Sequence, residues 1–149
     1  MIPAASLFSL CSTIALLGWV ALAIALFAPR LRRATWIGTG LILPALLAVA
    51  YIGALAAGLA GGVKGGFDSI EAVRSLFADD HALTAGWIHY LAFDLFVGTW
   101  IARAGIGAGI SPLLLLPCLV LTFLVGPAGL LLALVVGFST GRLGLETRP

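Results

Sequence analysis

The chain has 149 residues, 62% of them hydrophobic and 9% charged, with a net charge of +2 and a mean hydropathy of +1.19. Soluble domains carry charge on about a quarter of their residues, so this composition excludes one and points to an integral membrane protein. The eight Lys and Arg residues sit at the ends of apolar runs. Membrane topology accounts for them there, and nucleic-acid binding has no support.

Uncharged runs extend from Ala4 to Ala28, from Trp36 to Gly62, from Ala82 to Ala102 with Asp94 excepted, and from Ala104 to Gly141. About 20 apolar residues cross a bilayer core as a helix. The expected fold is therefore all-α: one membrane domain over residues 1–149, a four-transmembrane-helix bundle with spans at about 4–28, 36–60, 82–102 and 112–138. No Lys or Arg precedes the first run, and it exceeds the roughly 7–15 residues of a signal core, so it reads as a retained span. With nothing resembling a transit peptide, the expected location is a bacterial inner (cell) membrane, crossed several times.

Cys11 lies in the first run and Cys118 in the fourth, and both read as inert small hydrophobes. The first span stops at Pro29, and Trp36 stands where an interfacial aromatic anchor is expected. Arg30, Arg32, Arg33 and Arg103 flank spans on one side, Lys64, Arg74, Arg142 and Arg148 on the other. The tight arginine cluster beside the first span reads as the cytoplasmic loop.

Span two carries Pro44 and Tyr51 and dissolves into the glycine-rich stretch from Gly58 to Gly66. From Asp68 the apolar residues Ile70, Val73, Leu76 and Phe77 recur at helical spacing, and Asp68 with Glu71 has the spacing of a capping box. This predicts a short interfacial amphipathic helix at about 68–78, between spans two and three. Asp79, Asp80 and His81 form a polar turn before span three. After Arg103, Ala104 to Ile110 reads as a glycine-rich turn, and Ser111-Pro112 as an N-cap with proline at the first helical position. Pro117 and Pro127 each remove one helical hydrogen bond, freeing the carbonyls of Leu113 and Phe123. In a membrane each needs a neighbour, a hydroxyl such as Thr122, or water.

Asp94 is the one formally charged residue inside these expected spans, and a carboxylate in hydrocarbon costs several kcal/mol, about 3 on insertion scales. Tyr90 lies one turn before it on nearly the same face, with Gly98 continuing that stripe, while His89, Phe93 and Trp100 form another. His89 and Asp94 are about 140° apart around the helix, so each looks for partners elsewhere. Asp94 then reads as a structural anchor, a general acid or base, or a proton relay. With two histidines and no clustered carboxylates in the spans, no metal site is expected; haem on His89 alone stays open. Phe67, Trp87, His89, Tyr90, Phe93, Phe96 and Trp100 surround the acid with aromatic surface, suited to a long apolar substrate with one polar group.

The runs Gly65-Gly66-Phe67-Asp68-Ser69-Ile70-Glu71-Ala72-Val73-Arg74-Ser75-Leu76-Phe77, Gly86-Trp87-x-His89-Tyr90-Leu91-Ala92-Phe93-Asp94-Leu95-Phe96-Val97-Gly98-x-Trp100 and Pro117-Cys118-x4-Phe123-x2-Gly126-Pro127-x-Gly129 carry a resemblance to a known family over nearly the whole chain. They resemble the small membrane proteins that include plant neoxanthin synthase of abscisic acid biosynthesis. The resemblance implies a membrane-embedded carotenoid- or isoprenoid-modifying enzyme, an isomerase needing no cofactor and acting without redox change. Asp94 and His89, with Tyr90, would supply acid and base, and Trp87, Phe93 and Trp100 would steady a cation. Phe67, Phe96 and Thr122 complete the expected substrate contacts. Family members often have an acidic residue after the position of Arg103, where this chain has Ala104. The rival readings are a non-catalytic carotenoid- or haem-binding subunit and a proton-coupled transport component. The expected partners are a carotenoid-like lipid and the bilayer, with oligomerisation open.

Overall fold

The computed structural model describes residues 2–141; Arg142 and Arg148 lie outside the described residues. The fold is helical, with no strand among the described residues. Helix α1 spans Ala4–Phe27. A 3-10 turn at Pro29–Leu31, α2 at Arg32–Ile37, a π-helical turn at Gly38–Ile42 and α3 at Leu43–Ala60 follow. Then come α4 (Ile70–Leu76), α5 (Asp80–Gly107), α6 (Pro112–Leu124) and α7 (Gly126–Ser139).

The expected loop between spans one and two is itself helical, and Pro29–Ala60 forms one segment of 32 residues. Pro29 sits at a first helical position, where its missing N–H costs nothing, and the arginines after it are good helix formers. Arg32 closes the junction, donating from Nε to the Ala25 carbonyl (3.1 Å) and from Nη2 to that of Leu26 (2.8 Å). Within this segment Pro44 has no N–H for the Gly40 carbonyl, and the turn upstream of it widens to π geometry. The Thr39 hydroxyl there donates to the Thr35 carbonyl (2.9 Å) and accepts from the buried Thr99 hydroxyl of α5 (2.8 Å).

The glycine stretches act as helix stops. Gly62 has φ +77° and Gly109 φ +75°. At the first, the Val63 N–H reaches the Gly58 carbonyl and Gly62 that of Leu59; at the second, Ile110 reaches Gly105 and Gly109 reaches Ile106. Both are Schellman endings, which need a left-handed residue that only glycine supplies without strain. The expected turn from Ala104 is therefore partly helix, and α5 continues to Gly107. Three side-chain caps start helices. Ser111 opens α6, as its sequence indicates. Asp79 accepts from the N–H groups of His81 and Ala82 and opens α5. Ser69 opens α4 by accepting from Ala72 at 3.1 Å, so the cap is Ser69 and not Asp68. A serine hydroxyl one residue closer reaches the same free N–H groups.

Helix α5 is the centre, packing against α1, α3, α6 and α7. One core group joins Trp19, Leu22 and Leu26 of α1 to Leu95 and Ile101 of α5 and to Leu115, Cys118 and Leu119 of α6. The other joins Cys11 and Ala15 to Leu47, Ile88 and Leu91. The two cysteines are free and buried, one in each group. Small residues set the spacing: a Cβ on Gly18 would meet Leu43 at 2.9 Å and Leu95 at 3.0 Å, and one on Gly98 would strike the Trp19 ring.

The outward faces are apolar: Leu17, Leu41, Val49, Ile52, Leu131 and Phe138 are all exposed. Among the described residues, Ala4–Phe27 and Pro29–Ala60 are long and apolar enough to cross a membrane. Only 11% of the apolar window in the second is buried, which sets it apart from the core helix of a soluble protein. The expected fourth span is divided into two shorter helices, of 13 and 14 residues.

Candidate functional site

The division of the expected fourth span into α6 and α7 creates the site. Val125, between α6 and α7, has φ −148° and ψ 73°, far from helical values. Gly126-Pro127 follows, and proline at the second position of α7 tolerates the break. The N–H groups of Ala128 and Gly129 turn back to the Val125 carbonyl. The Phe123 carbonyl, which Pro127 leaves without its helical donor, accepts a hydrogen bond from the Tyr90 hydroxyl at 3.2 Å. The sequence placed a need for a donor at this carbonyl. The donor is a residue of α5, whereas the Thr122 hydroxyl bonds its own helix at the Cys118 carbonyl (2.7 Å).

Asp94 faces the same break. A Cβ on Gly126 would overlap its carboxyl group, with Oδ2 at 2.6 Å and Cγ at 2.7 Å, so only glycine lets the carboxyl lie against the start of α7. The first N–H groups of a helix carry a partial positive charge of about half a unit, which favours an anion there. Tyr90, one turn before Asp94 on nearly the same face of α5, brings its hydroxyl to the same break through its bond to the Phe123 carbonyl. Oδ2 of Asp94 is buried and has no hydrogen-bond partner. It is a free acceptor beside a phenol and a helix N-terminus.

Aromatic rings lead to this point. Phe8 stacks on Trp87 (5.4 Å between centroids), and Trp87 on Tyr90 (5.3 Å). Trp87 is held by its Nε1–H donating to the Ser12 hydroxyl at 2.9 Å. On the other side Trp19 meets Phe123 edge-on at 5.7 Å. Phe8, Ser12, Trp19, Phe123 and Gly126 thus belong to the site, and the sequence reading did not pick them out as such. Proline-freed carbonyls and a Gly-Pro pair were the available signal for Phe123 and Gly126; Phe8, Ser12 and Trp19 lie on α1, whose rotation no sequence pattern fixes.

Of the site residues expected from sequence, the fold brings together Asp94, Tyr90 and Trp87. His89 points elsewhere, stacked on Phe93 at 4.6 Å and tilted against Tyr51 at 5.9 Å. His89, Phe93, Phe96 and Trp100 form one exposed stripe of α5. At 100° per residue they lie about 100–160° around the helix from Asp94, away from its face. Phe67 is 80% exposed in the loop before α4, and Thr122 is buried between α6 and α7, against Gly129.

The break at Val125 and the run around Asp94 fall within residues 6–132, which match the profile of the ABA DEFICIENT 4-like family. The chain belongs to that family. No match was found among curated proteins or among solved structures. The family match includes every residue of the Asp94 site and the exposed His89 stripe alike.

One consequence concerns stability. Tyr90→Phe removes the donor to the Phe123 carbonyl and is expected to cost about 0.6 kcal/mol, the average for hydrogen bonds between membrane helices, and no more than about 1.7 kcal/mol. Detergent unfolding followed by circular dichroism measures it. An unshifted midpoint would mean the bond contributes nothing to stability.

Proposed function

We propose that the chain is a multi-pass membrane enzyme that modifies a carotenoid or related isoprenoid by acid–base chemistry at Asp94 and Tyr90. The supporting observation is the Asp94 carboxyl with one unpartnered oxygen, set at a helix break and reached by the Phe8–Trp87–Tyr90 stack. In this reading α6 and α7 together make a fourth crossing. At 1.5 Å per residue each covers about 20 Å, too little alone for a core of about 30 Å but enough in sequence. The break then lies near mid-membrane, where interrupted helices build sites in other membrane proteins. Asp94, at the middle of α5, lies at the same depth.

The reading takes its substrate class from the family, and it fits an isomerisation that adds and removes nothing. The Tyr90 hydroxyl donates its proton to an epoxide oxygen as the carbon–oxygen bond opens. The Asp94 carboxylate takes a proton from the adjacent polyene carbon, whose electron pair forms the new double bond. Transfer of that proton from Asp94 back to the Tyr90 oxygen restores both groups. Stacked rings stabilise the cationic character that develops between the two events. No cofactor enters this scheme, and His89 has no part at this centre.

A second reading is favoured by the Tyr90–Phe123 bond: Asp94 and Tyr90 hold the break together in a carotenoid-binding subunit without catalysis. Expression in a carotenoid-producing host, followed by pigment chromatography, separates them. The enzyme yields a new pigment that His89→Ala retains and Asp94→Asn loses. Unchanged pigments with a carotenoid co-purifying support the binding subunit instead.

A further inference from the structure

The arginine-bearing end of the molecule carries a feature that the Asp94 site does not use. Between α1 and the segment from α2 into α3 lies an open groove of about 440 Å³, lined by Ile14, Leu17, Gly18, Ala21, Ala34 and Gly38 among others. This is the size of a small-molecule site. Its walls are aliphatic and small, with Thr35 and Thr39 as the hydroxyl-bearing residues. A Cβ on Gly38 would meet nothing within 4 Å, so the groove is open beside it.

Charge is distributed unevenly around this groove. Arg30, Arg32 and Arg33 stand where α1 turns into α2, and Arg103 joins them from α5, its guanidinium 5.8 Å from the centre of the Trp36 ring. Asp68, Glu71, Asp79 and Asp80 are at the opposite end, where Asp79 lies against Gly58 at the close of α3. Arg32 is occupied by the Ala25 and Leu26 carbonyls. Arg30 and Arg33 are exposed and have no ion pair or hydrogen bond among the described residues. Arg30, Ala34 and Gly38 follow at four-residue intervals along one helical segment, which sets Arg30 above the wall that Ala34 and Gly38 provide.

From this complementarity we infer that the groove binds an anionic phospholipid, its phosphate at Arg30 and Arg33 and one acyl chain along Gly18, Ala21 and Gly38. Free guanidinium groups favour phosphate by charge-assisted hydrogen bonds, and basic pockets between membrane helices hold acidic headgroups. The inference rests on the membrane reading above and is independent of the chemistry at Asp94.

The test reconstitutes the full chain in nanodiscs of phosphatidylglycerol and phosphatidylcholine in equal amounts. Native mass spectrometry then counts the lipids retained on the released protein. Phosphatidylglycerol should be retained over phosphatidylcholine, with each arginine contributing roughly fivefold. The double variant Arg30→Gln/Arg33→Gln brings the ratio to that of the nanodisc, and Arg30→Lys/Arg33→Lys largely preserves it. Gly38→Leu fills the groove and lowers retention, and Ala34→Leu on the same wall repeats that test, with circular dichroism checking helix content. Retention without headgroup preference overturns the proposal, as does a preference that survives both groove variants, which would reflect surface charge alone. Displacement by inorganic phosphate overturns it too. A chain that needs neither detergent nor nanodisc to stay in solution defeats the membrane reading, a failure distinct from these.

Discussion

Asp94→Asn is expected to abolish pigment conversion in a carotenoid-producing host, with a loss on the order of 10²–10⁴-fold, the usual contribution of one general acid–base group. Asparagine keeps the shape of the side chain that lies against Gly126, so the folded protein should accumulate to a similar level. The amide cannot take a proton from carbon, and removing that capacity while leaving the packing intact is what makes the variant informative. Asp94→Glu keeps the acid but pushes it towards α7, into the space where even a Cβ on Gly126 has no room; it should recover little. Full conversion by Asp94→Asn, measured as product per unit of folded protein, would remove Asp94 from the chemistry.

Gly129→Ala is expected to be strongly destabilising although it adds a single methyl. The added carbon would strike the backbone N and Cα of Thr122 together with its hydroxyl. These are not the far end of a flexible side chain, so α6 and α7 must separate. Overpacking of this kind costs typically about 1–3 kcal/mol, occasionally more. Gly53→Ala is the control, since a Cβ there meets nothing within 4 Å; in mid-helix it should stabilise by about 0.5–1 kcal/mol. Unfolding midpoints in mixed micelles compare the two, and equal midpoints would refute the tight α6–α7 contact. Gly126→Ala belongs with Gly129→Ala but has a different neighbour. Its clash is with the Asp94 carboxyl, so its cost should shrink in an Asp94→Ala background, whereas that of Gly129→Ala should persist.

Several elements were legible from residue types because their causes are local. Ser111-Pro112 opens α6, Gly62 and Gly109 close helices, and Asp94 and Tyr90 share a face because four residues nearly complete a turn. Readings failed where two local solutions were close in energy. Pro29 both ends α1 and starts the next helical turn, so the expected loop became helix. Asp68 and Ser69 compete for the same N–H groups, and Ser69 wins. Pro127 can kink a helix or divide it. With Gly126 before it and the Asp94 carboxyl against that glycine, the helix divides.

Residue types and their spacing were enough for the apolar helices, most of their stops, the separation of His89 from Asp94 around α5, and the existence of an unmet carbonyl at Phe123. These follow from hydropathy, backbone chemistry and helical periodicity, which act over a few residues. Tertiary structure alone decided that Tyr90 meets that carbonyl, that Phe8 and Trp87 stack towards it, and that Phe93, Phe96 and Trp100 face outward. Those outcomes depend on how each helix is rotated about its axis. In a chain apolar on nearly every face, rotation is set by close approach at glycines and by rare polar contacts between helices, not by any amphipathic pattern.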